Sequence, residues 1–555
     1  MGSLVTDVTR TGRFKSGFRE GMQAFLAEAR ALKADFPHRE FLVTIAKNLW
    51  PAYLLASTLI LWGFTWGLPN HYQDKSFQAD ENAAVWAVNQ LRFPLHMNPR
   101  WFNWGTGLFY QTYLVKLVFT AGGLAHASDY WMLVMGRLVV FVSALGAITA
   151  LFLLGRKLFD GWIGRLAATI LAVLPGFVIN GHYFKTDVPM TFWMLTTMLV
   201  AYQLVETGAS RYVFLLGLLV GYTASVKYPG GLMLLAGLVA IAMASRKFHK
   251  RCSWLTYFVC VALGFAFGQP AALLPAGWGA IIKALRWVGS LNRLGIPYHV
   301  ARPPAWIDYP LNVMPFSMTA PMLMAAAVAL AWAVGVCVLT GKRWALLPIL
   351  TFMVAYYPVL ATDNWRLVRY TVPLLPFAAL FVALFVGTLR DRPIVGRVAV
   401  VTVCALMAYA FLSSLSYVRA FGETDPRIQA SRWVEDQIPR GQSVPEIATH
   451  YLNLPQLGLV GYKTVSIDYS ISDLRSAPSP YLIVSEFSTS SYSQAIDYYP
   501  RQRGFFQFVT ANYVEVVHFE NSQKLLFIDS KRGSKLPQDW LHPNPRITIM
   551  VRRPS

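Results

Sequence analysis

Apolar residues along the chain gather into blocks of roughly twenty, the length a helix needs to cross a hydrocarbon core of ~30 Å. The blocks fall at 49–68, 131–154, 162–181, 188–205, 211–226, 229–245, 254–274, 316–340, 344–361, 367–389 and 394–417. This pattern predicts eleven membrane spans. A further apolar run, "GLFYQTYLVKLVFTAGGL" from Gly107, contains Lys116 and is expected to lie along the interface instead of crossing. After residue 417 the pattern changes. "SRWVEDQIPRGQSV" reads as a helix, a Pro/Gly turn and a strand. "KTVSID", "PYLIVSEF", "NYVEVVHFE" and "RITIMVRR" have the β-branched and aromatic composition of strands. The expected fold class is an α-helical polytopic membrane protein of about eleven spans with a small C-terminal extracytoplasmic α/β domain.

Ahead of the first span, Phe14, Phe18, Met22, Phe25, Ala29, Leu32 and Phe36 recur at three- and four-residue steps among Arg13, Lys15, Arg19, Arg30 and Lys33. That spacing predicts an amphipathic basic helix on the cytosolic membrane surface, with a partner-binding helix as the alternative. No apolar core with a small-residue cleavage site stands before residue 45, so no signal peptide is expected. The domains expected are a cytoplasmic arm (1–47), a transmembrane catalytic domain (48–417) with outside loops at 69–130 and 275–315, and the domain 418–555.

Charge gives the spans a direction. The 555 residues carry a formal net charge of +21, although the mean hydropathy is +0.41. Such a charge suits nucleic acid, but its distribution favours a membrane. Lys and Arg concentrate in the N-terminal arm and in the short loops "GRKLFDG", "SRKFHKR", "GKR" and "LRDRPIVGR". The alternation fits cytoplasmic basic loops beside anionic lipid, with the N-terminus inside and the C-terminus outside, and excludes nucleic acid as the partner. A bacterial inner (plasma) membrane is the expected location. Cys252, Cys260, Cys337 and Cys404 lie in or next to apolar spans and form no disulfide framework or metal-ligand spacing.

With that direction, the ionisable residues gather at the outer ends of the spans. Asp80 and Glu81 stand in the first outside loop, and His182, Lys185 and Asp187 in "NGHYFKTDVP". Lys227 stands in "SVKYPGG", and Asp363, Arg366, Arg369 and Tyr370 in "ATDNWRLVRYTVP". Each has a structural reading. Asp80 and Asp187 suit helix N-termini, Lys227, Arg366 and Arg369 suit snorkelling, and a lone His182 suits a buried structural role. Together they suggest chemistry, because ionisable groups near hydrocarbon usually have a partner or a task. Nucleotide sugars are cytosolic, so an outward-facing transferase needs a donor activated in the membrane, such as a polyprenyl-phosphate sugar. Lys and Arg clamp the leaving phosphate. A carboxylate serves as general base toward the acceptor hydroxyl, and direct displacement inverts the anomeric centre.

The motifs "ADEN", "HYFKTDVPMTFW", "SVKYPGGLMLL" and "RLVRYTVPLLPF" resemble, in order, those of integral-membrane glycosyltransferases of the GT-C fold. This class includes protein O-mannosyltransferases and the aminoarabinose transferase of lipid A. The resemblance covers most of residues 48–417 and is weaker in the tail. It implies Asp80 as general base, with Glu81 beside it, and Asp187 as a second acid on the acceptor or metal side. It implies His182, Lys227, Arg366, Arg369 and Tyr370 on the donor-phosphate or substrate side. It leaves a divalent metal ion open, since some such enzymes bind one and others do not; no other cofactor is implied. The partners implied are a polyprenyl-phosphate sugar, membrane lipids, and an envelope glycan, lipid or protein as acceptor. After Asp80 and Glu81 the chain reads "NAAVW", unlike the aromatic-glycine pattern of O-mannosyltransferases or the Arg-Tyr pattern of aminoarabinose transferases. Sugar and acceptor therefore stay open. A transporter or flippase of a lipid-linked saccharide is the alternative, yet no internal repeat is found and the charges sit at the outer surface, not at mid-membrane. A scaffold whose outside domain binds a cell-wall partner would leave the acidic pair unexplained.

Overall fold

The computed structural model describes residues 38–554 except 94–95, 124–127, 246–253, 341–343, 478 and 532–535. The expected N-terminal surface helix lies outside the described residues. Helices make up most of the chain before residue 423, and their boundaries follow local chemistry. Ser128 caps the helix Asp129–Leu158 by accepting the Trp131 N–H, and Arg156 and Lys157 close its last turn. Asp160 accepts the Ile163 N–H at 2.8 Å and starts Gly161–Val173. That helix breaks at Leu174, whose extended backbone is what a following proline imposes. Pro175 then opens Pro175–Gly181 at an angle of 64°. Asp187–Thr207 ends on Gly208 in the left-handed region (φ 65°).

Among the described residues six helices are long and apolar enough to cross a membrane, or seven if the bent pair at 161–181 counts as one span. The expectation of eleven spans is therefore not confirmed. The segments expected at 211–226, 229–245 and 254–274 are helical over Ser210–Val226, Tyr228–Ala244 and Trp254–Gly268, each below the eighteen residues that the long spans reach. The chain leaves the α-helix for a 3-10 turn opened by proline at Lys227, in the gap between two expected segments, and at Gln269, inside the third. The segment expected at 49–68 is a helix over His38–Leu61, followed by turns in which Gly63 and Gly67 adopt φ 66°. Helices Ser210–Val226 and Trp254–Gly268 pack closely through glycines. A Cβ on Gly221 would meet the Val261 carbonyl oxygen at 1.9 Å, and one on Gly264 the Leu218 oxygen at 2.0 Å.

The C-terminal part is a mixed sheet with helices on both faces. Its strands are β1 (Ser443–Ile447), β2 (Lys463–Ile467), β3 (Tyr481–Ser485), β4 (Tyr513–Phe519), the short hairpin β5 (Lys524–Leu525) and β6 (Ile528–Asp529), and β7 (Ile547–Arg552). The main sheet runs β2-β1-β3-β7-β4. β1 is parallel to β2 and β3, and β7 is antiparallel to β3 and β4. These strands match the segments expected from composition. Ala430, Val434 and Ile438 cover one face, and Phe505 and Val509 the other.

Buried contacts tie this domain to the membrane part. Trp540 packs on Tyr417 at 4.3 Å and Phe316 at 5.2 Å between ring centroids, and its carbonyl accepts the Tyr417 hydroxyl at 2.9 Å. Arg427 pairs with Asp425 at 2.7 Å and lies 3.8 Å over the Phe77 ring. Trp66 donates to Asp425 at 3.1 Å. The first loop and the C-terminal domain thus share one set of anchors.

Candidate active site

The loop after the first helix is folded by its own polar residues. Ser76 and Asn82 exchange hydrogen bonds of 2.9 and 2.7 Å. Gln78, not Asp80, is the N-cap of Ala79–Asn89, accepting the Asp80 N–H at 3.2 Å. Asp80 and Glu81 then point to different surroundings, as adjacent helical positions must.

Glu81 is fully buried and fully bonded. Arg137 forks onto it at 2.8 and 2.7 Å, and the Ser76 hydroxyl and Phe184 N–H donate at 2.6 and 2.8 Å. Burial alone would raise its pKa, but Arg137 and these donors outweigh it and hold the carboxyl below its usual value. Arg137 also donates to the carbonyls of Phe64 and Trp66 at 2.7 and 2.8 Å. The pair clamps the start of the loop.

Asp80 keeps 28% of its side chain exposed and lines a cavity of about 830 Å³. Its carboxylate pairs with the Arg369 guanidinium and with Lys185 at 3.3 Å. Burial works against ionisation, but these cations win and keep the carboxyl well below its usual range. Asp187 opens its helix and pairs with Lys227 at 2.5 Å. Lys227 and Arg369 both approach the Tyr370 ring, at 4.9 and 5.2 Å from its centroid. Asp80, Asp187, Lys227, Arg369 and Tyr370 all line the same cavity, whose apolar walls include Trp101, Trp104, Leu285 and Trp287.

The structure does not bring every expected residue there. His182 is buried with both ring nitrogens 3.0 and 3.1 Å from the carbonyls of Val178 and Trp62, and it stacks on Phe421 at 4.3 Å. Burial pushes its pKa down to about 4. Arg366 is also buried away from the cavity. It stands 3.9 Å from Asp308, donates to the Pro303 carbonyl at 3.3 Å and takes a left-handed backbone (φ 55°). Its neighbour Asp363 does line the cavity and accepts from the Tyr309 hydroxyl and the Arg366 N–H at 2.7 and 2.9 Å.

Three contributors escaped the sequence reading. Arg137 left a signal, a lone cation within the apolar run 131–154. Asp539 and His542, in "QDWLHPNP", left none. Both line the cavity from the C-terminal domain. Asp539 accepts the N–H groups of Val368 and Arg369, each at 3.1 Å, and so caps the 3-10 turn Val368–Leu374. Burial, opposed by these two bonds, leaves its carboxyl above the usual range. As for a metal, no group of three or more His, Cys, Asp or Glu side chains is placed to hold one among the described residues; the cavity acids Asp80 and Asp187 face cations instead.

Residues 131–267 match the model of the family described as dolichyl-phosphate-mannose-protein mannosyltransferase. No curated protein matches the sequence. Among solved structures, the oligosaccharyltransferase AglB of Archaeoglobus fulgidus, in complex with an inhibitory peptide and a dolichol-phosphate, aligns with a TM-score of 0.50 at 12% identity, over 88% of this chain and 74% of its own. ArnT of Cupriavidus metallidurans, bound to undecaprenyl phosphate, aligns with a TM-score of 0.46 at 10% identity, over 92% of this chain and 98% of its own. The chain is thus similar over residues 131–267 to this mannosyltransferase family, and its fold is similar to that of AglB.

Proposed function

We propose that the protein transfers a sugar from a polyprenyl phosphate to an extracytoplasmic acceptor, with inversion, and that Asp80 is the general base. The observation that carries this is the cavity in which Asp80, Lys227 and Arg369 stand beside apolar walls that include Trp101, Trp104, Leu285 and Trp287. A donor with a phosphate and a polyprenyl chain needs both surfaces. In the proposed step, the acceptor oxygen attacks the anomeric carbon and its proton passes to Asp80. The bond from that carbon to the phosphate oxygen breaks, and its electron pair stays on the departing polyprenyl phosphate. Lys227 and Arg369 stabilise the charge that develops there. Because the phosphate is a good leaving group, a base as weak as Asp80 suffices. Asp187 holds Lys227 in place and lines the same cavity as the base. Glu81, His182 and Arg366 act structurally, through Arg137, the Phe421 stack and Asp308.

The basic loops support an N-terminus inside and the cavity outside. They also support a division into an inner arm (1–47), a membrane domain (48–417) and an outer domain (418–555). The experiment is to incubate purified protein with radiolabelled polyprenyl-phosphate sugars and envelope lipids, glycans and proteins, and to identify what is labelled. Movement of intact lipid-linked saccharide across vesicles, with no sugar transferred, would instead indicate a flippase.

A further inference from the structure

The cavity has two unlike walls. Cations and acids stand on the membrane side. A second part of the wall comes from the C-terminal domain and includes Thr449, His450, Asn453, Phe487, Gln538 and His542. The carboxylate on that wall, Asp539, is already engaged by two backbone N–H groups. Burial pushes both imidazoles toward the neutral form, at His542 helped by Lys185 and Arg427 and at His450 opposed by Asp80. The wall therefore offers no free ionic group to an acceptor.

It offers hydrogen bonds of both senses. The His450 Nδ1 accepts the Leu452 N–H at 3.4 Å, which leaves the proton on Nε2 as a donor. Asn453 donates through Nδ2 to Thr449 at 3.2 Å, which leaves its Oδ1 as an acceptor. The buried Nδ1 of His542 has no hydrogen-bond partner within the protein, and the His542 ring packs on Phe487 at 5.4 Å. A buried polar atom at a cavity wall is normally satisfied by something. A sugar hydroxyl both donates and accepts, so neutral groups of both senses suit it. A phosphorylated or cationic acceptor would lose hydration here and find no opposite charge on this wall.

We propose that this wall is the acceptor subsite and that the acceptor is an uncharged saccharide, held with one hydroxyl toward Asp80. The proposal rests on reading the cavity as the transferase site, and it names which of the open acceptor classes fits. The step is the displacement already written, with the saccharide oxygen forming the new glycosidic bond.

The test uses the full-length protein in nanodiscs. Radiolabelled polyprenyl-phosphate hexoses and pentoses are the donors. Uncharged gluco-, galacto-, manno- and arabino-oligosaccharides, a phosphorylated glycolipid and a Ser/Thr-rich peptide are the acceptors. Label is expected on an uncharged oligosaccharide. Asn453→Ala and His450→Ala are each expected to raise the KM for that acceptor about tenfold, the loss expected for roughly 1.4 kcal/mol of hydrogen bonding, while the donor KM stays within twofold. Label on the glycolipid or the peptide, label on no acceptor despite bound donor, or variants that raise the donor KM instead would each overturn the proposal. The last result would assign the wall to the donor's sugar. Failure of the wild-type protein to bind any donor would count first against the transferase reading, and the acceptor assignment would fall with it.

Discussion

The carboxylate of Asp539 accepts the backbone N–H of Arg369 at 3.1 Å, while the guanidinium of the same Arg369 pairs with Asp80. A residue of the C-terminal domain therefore sets the turn that delivers a cation to the proposed base. Asp539→Ala leaves two buried N–H groups unpaired, a cost of about 1–3 kcal/mol for each. The expected outcome is a lower melting temperature together with a raised donor KM. Asp539→Asn, which retains one acceptor oxygen, should recover part of both. A variant with lowered stability but wild-type donor KM would limit Asp539 to a structural role.

Glu81 and Asp80 should separate cleanly by stability. Removing one partner of a buried ion pair costs about 3–5 kcal/mol, so Glu81→Gln, which strands Arg137, should lower the thermal midpoint strongly. Asp80→Asn, at a partly exposed position, should lower it less. Thermal unfolding of both variants in one detergent checks the ranking. Equal midpoints would show that the Arg137 clamp contributes little.

The phosphate clamp makes a prediction of its own. Lys227→Ala and Arg369→Ala should weaken donor use about tenfold or more, since charge-assisted hydrogen bonds are worth about 1.5–3 kcal/mol. Arg366→Ala should chiefly reduce stability, because its side chain faces Asp308. Donor titrations of the three variants test this. A donor KM raised only in Arg366→Ala would reverse the assignment.

His182 gives the stability a pH dependence. Its folded-state pKa of about 4 lies below the usual 6.5, so between these values the unfolded chain binds more protons than the folded one. Stability should therefore fall as pH is lowered from about 6.5 toward 4, by on the order of 3 kcal/mol from this group. His182→Phe, which keeps an aromatic ring against Phe421, should flatten that part of the profile. Thermal midpoints across the window decide. An unchanged slope in the variant would assign the dependence to other groups.

Part of this architecture was legible in the sequence. Composition located the apolar helices and the strands β1, β2, β3, β4 and β7, since burial and β-branching act locally. Six or seven spans are supported by length among the described residues, while three of the expected segments are helices of fewer than eighteen residues, whose role hydropathy alone does not settle. Asp80, Asp187, Lys227, Arg369 and Tyr370 stood out as charges and aromatics at span ends. The fork of Arg137 onto Glu81 and the His182 stack depend on pairings between distant segments, to which residue type gives no address. Asp539 and His542 reach the cavity only because Trp540 docks on Tyr417, a contact that local pattern does not encode.

The central claim is that Asp80 takes the acceptor proton. The most direct measurement is single-turnover transfer from a radiolabelled polyprenyl-phosphate sugar by Asp80→Asn protein, with donor binding measured on the same sample. Loss of a general base typically costs ~10²–10⁴ in rate. The account predicts a folded variant that binds donor and transfers sugar slower by that factor. Transfer within a few-fold of wild type would contradict it and leave Asp187 as the next carboxylate to test.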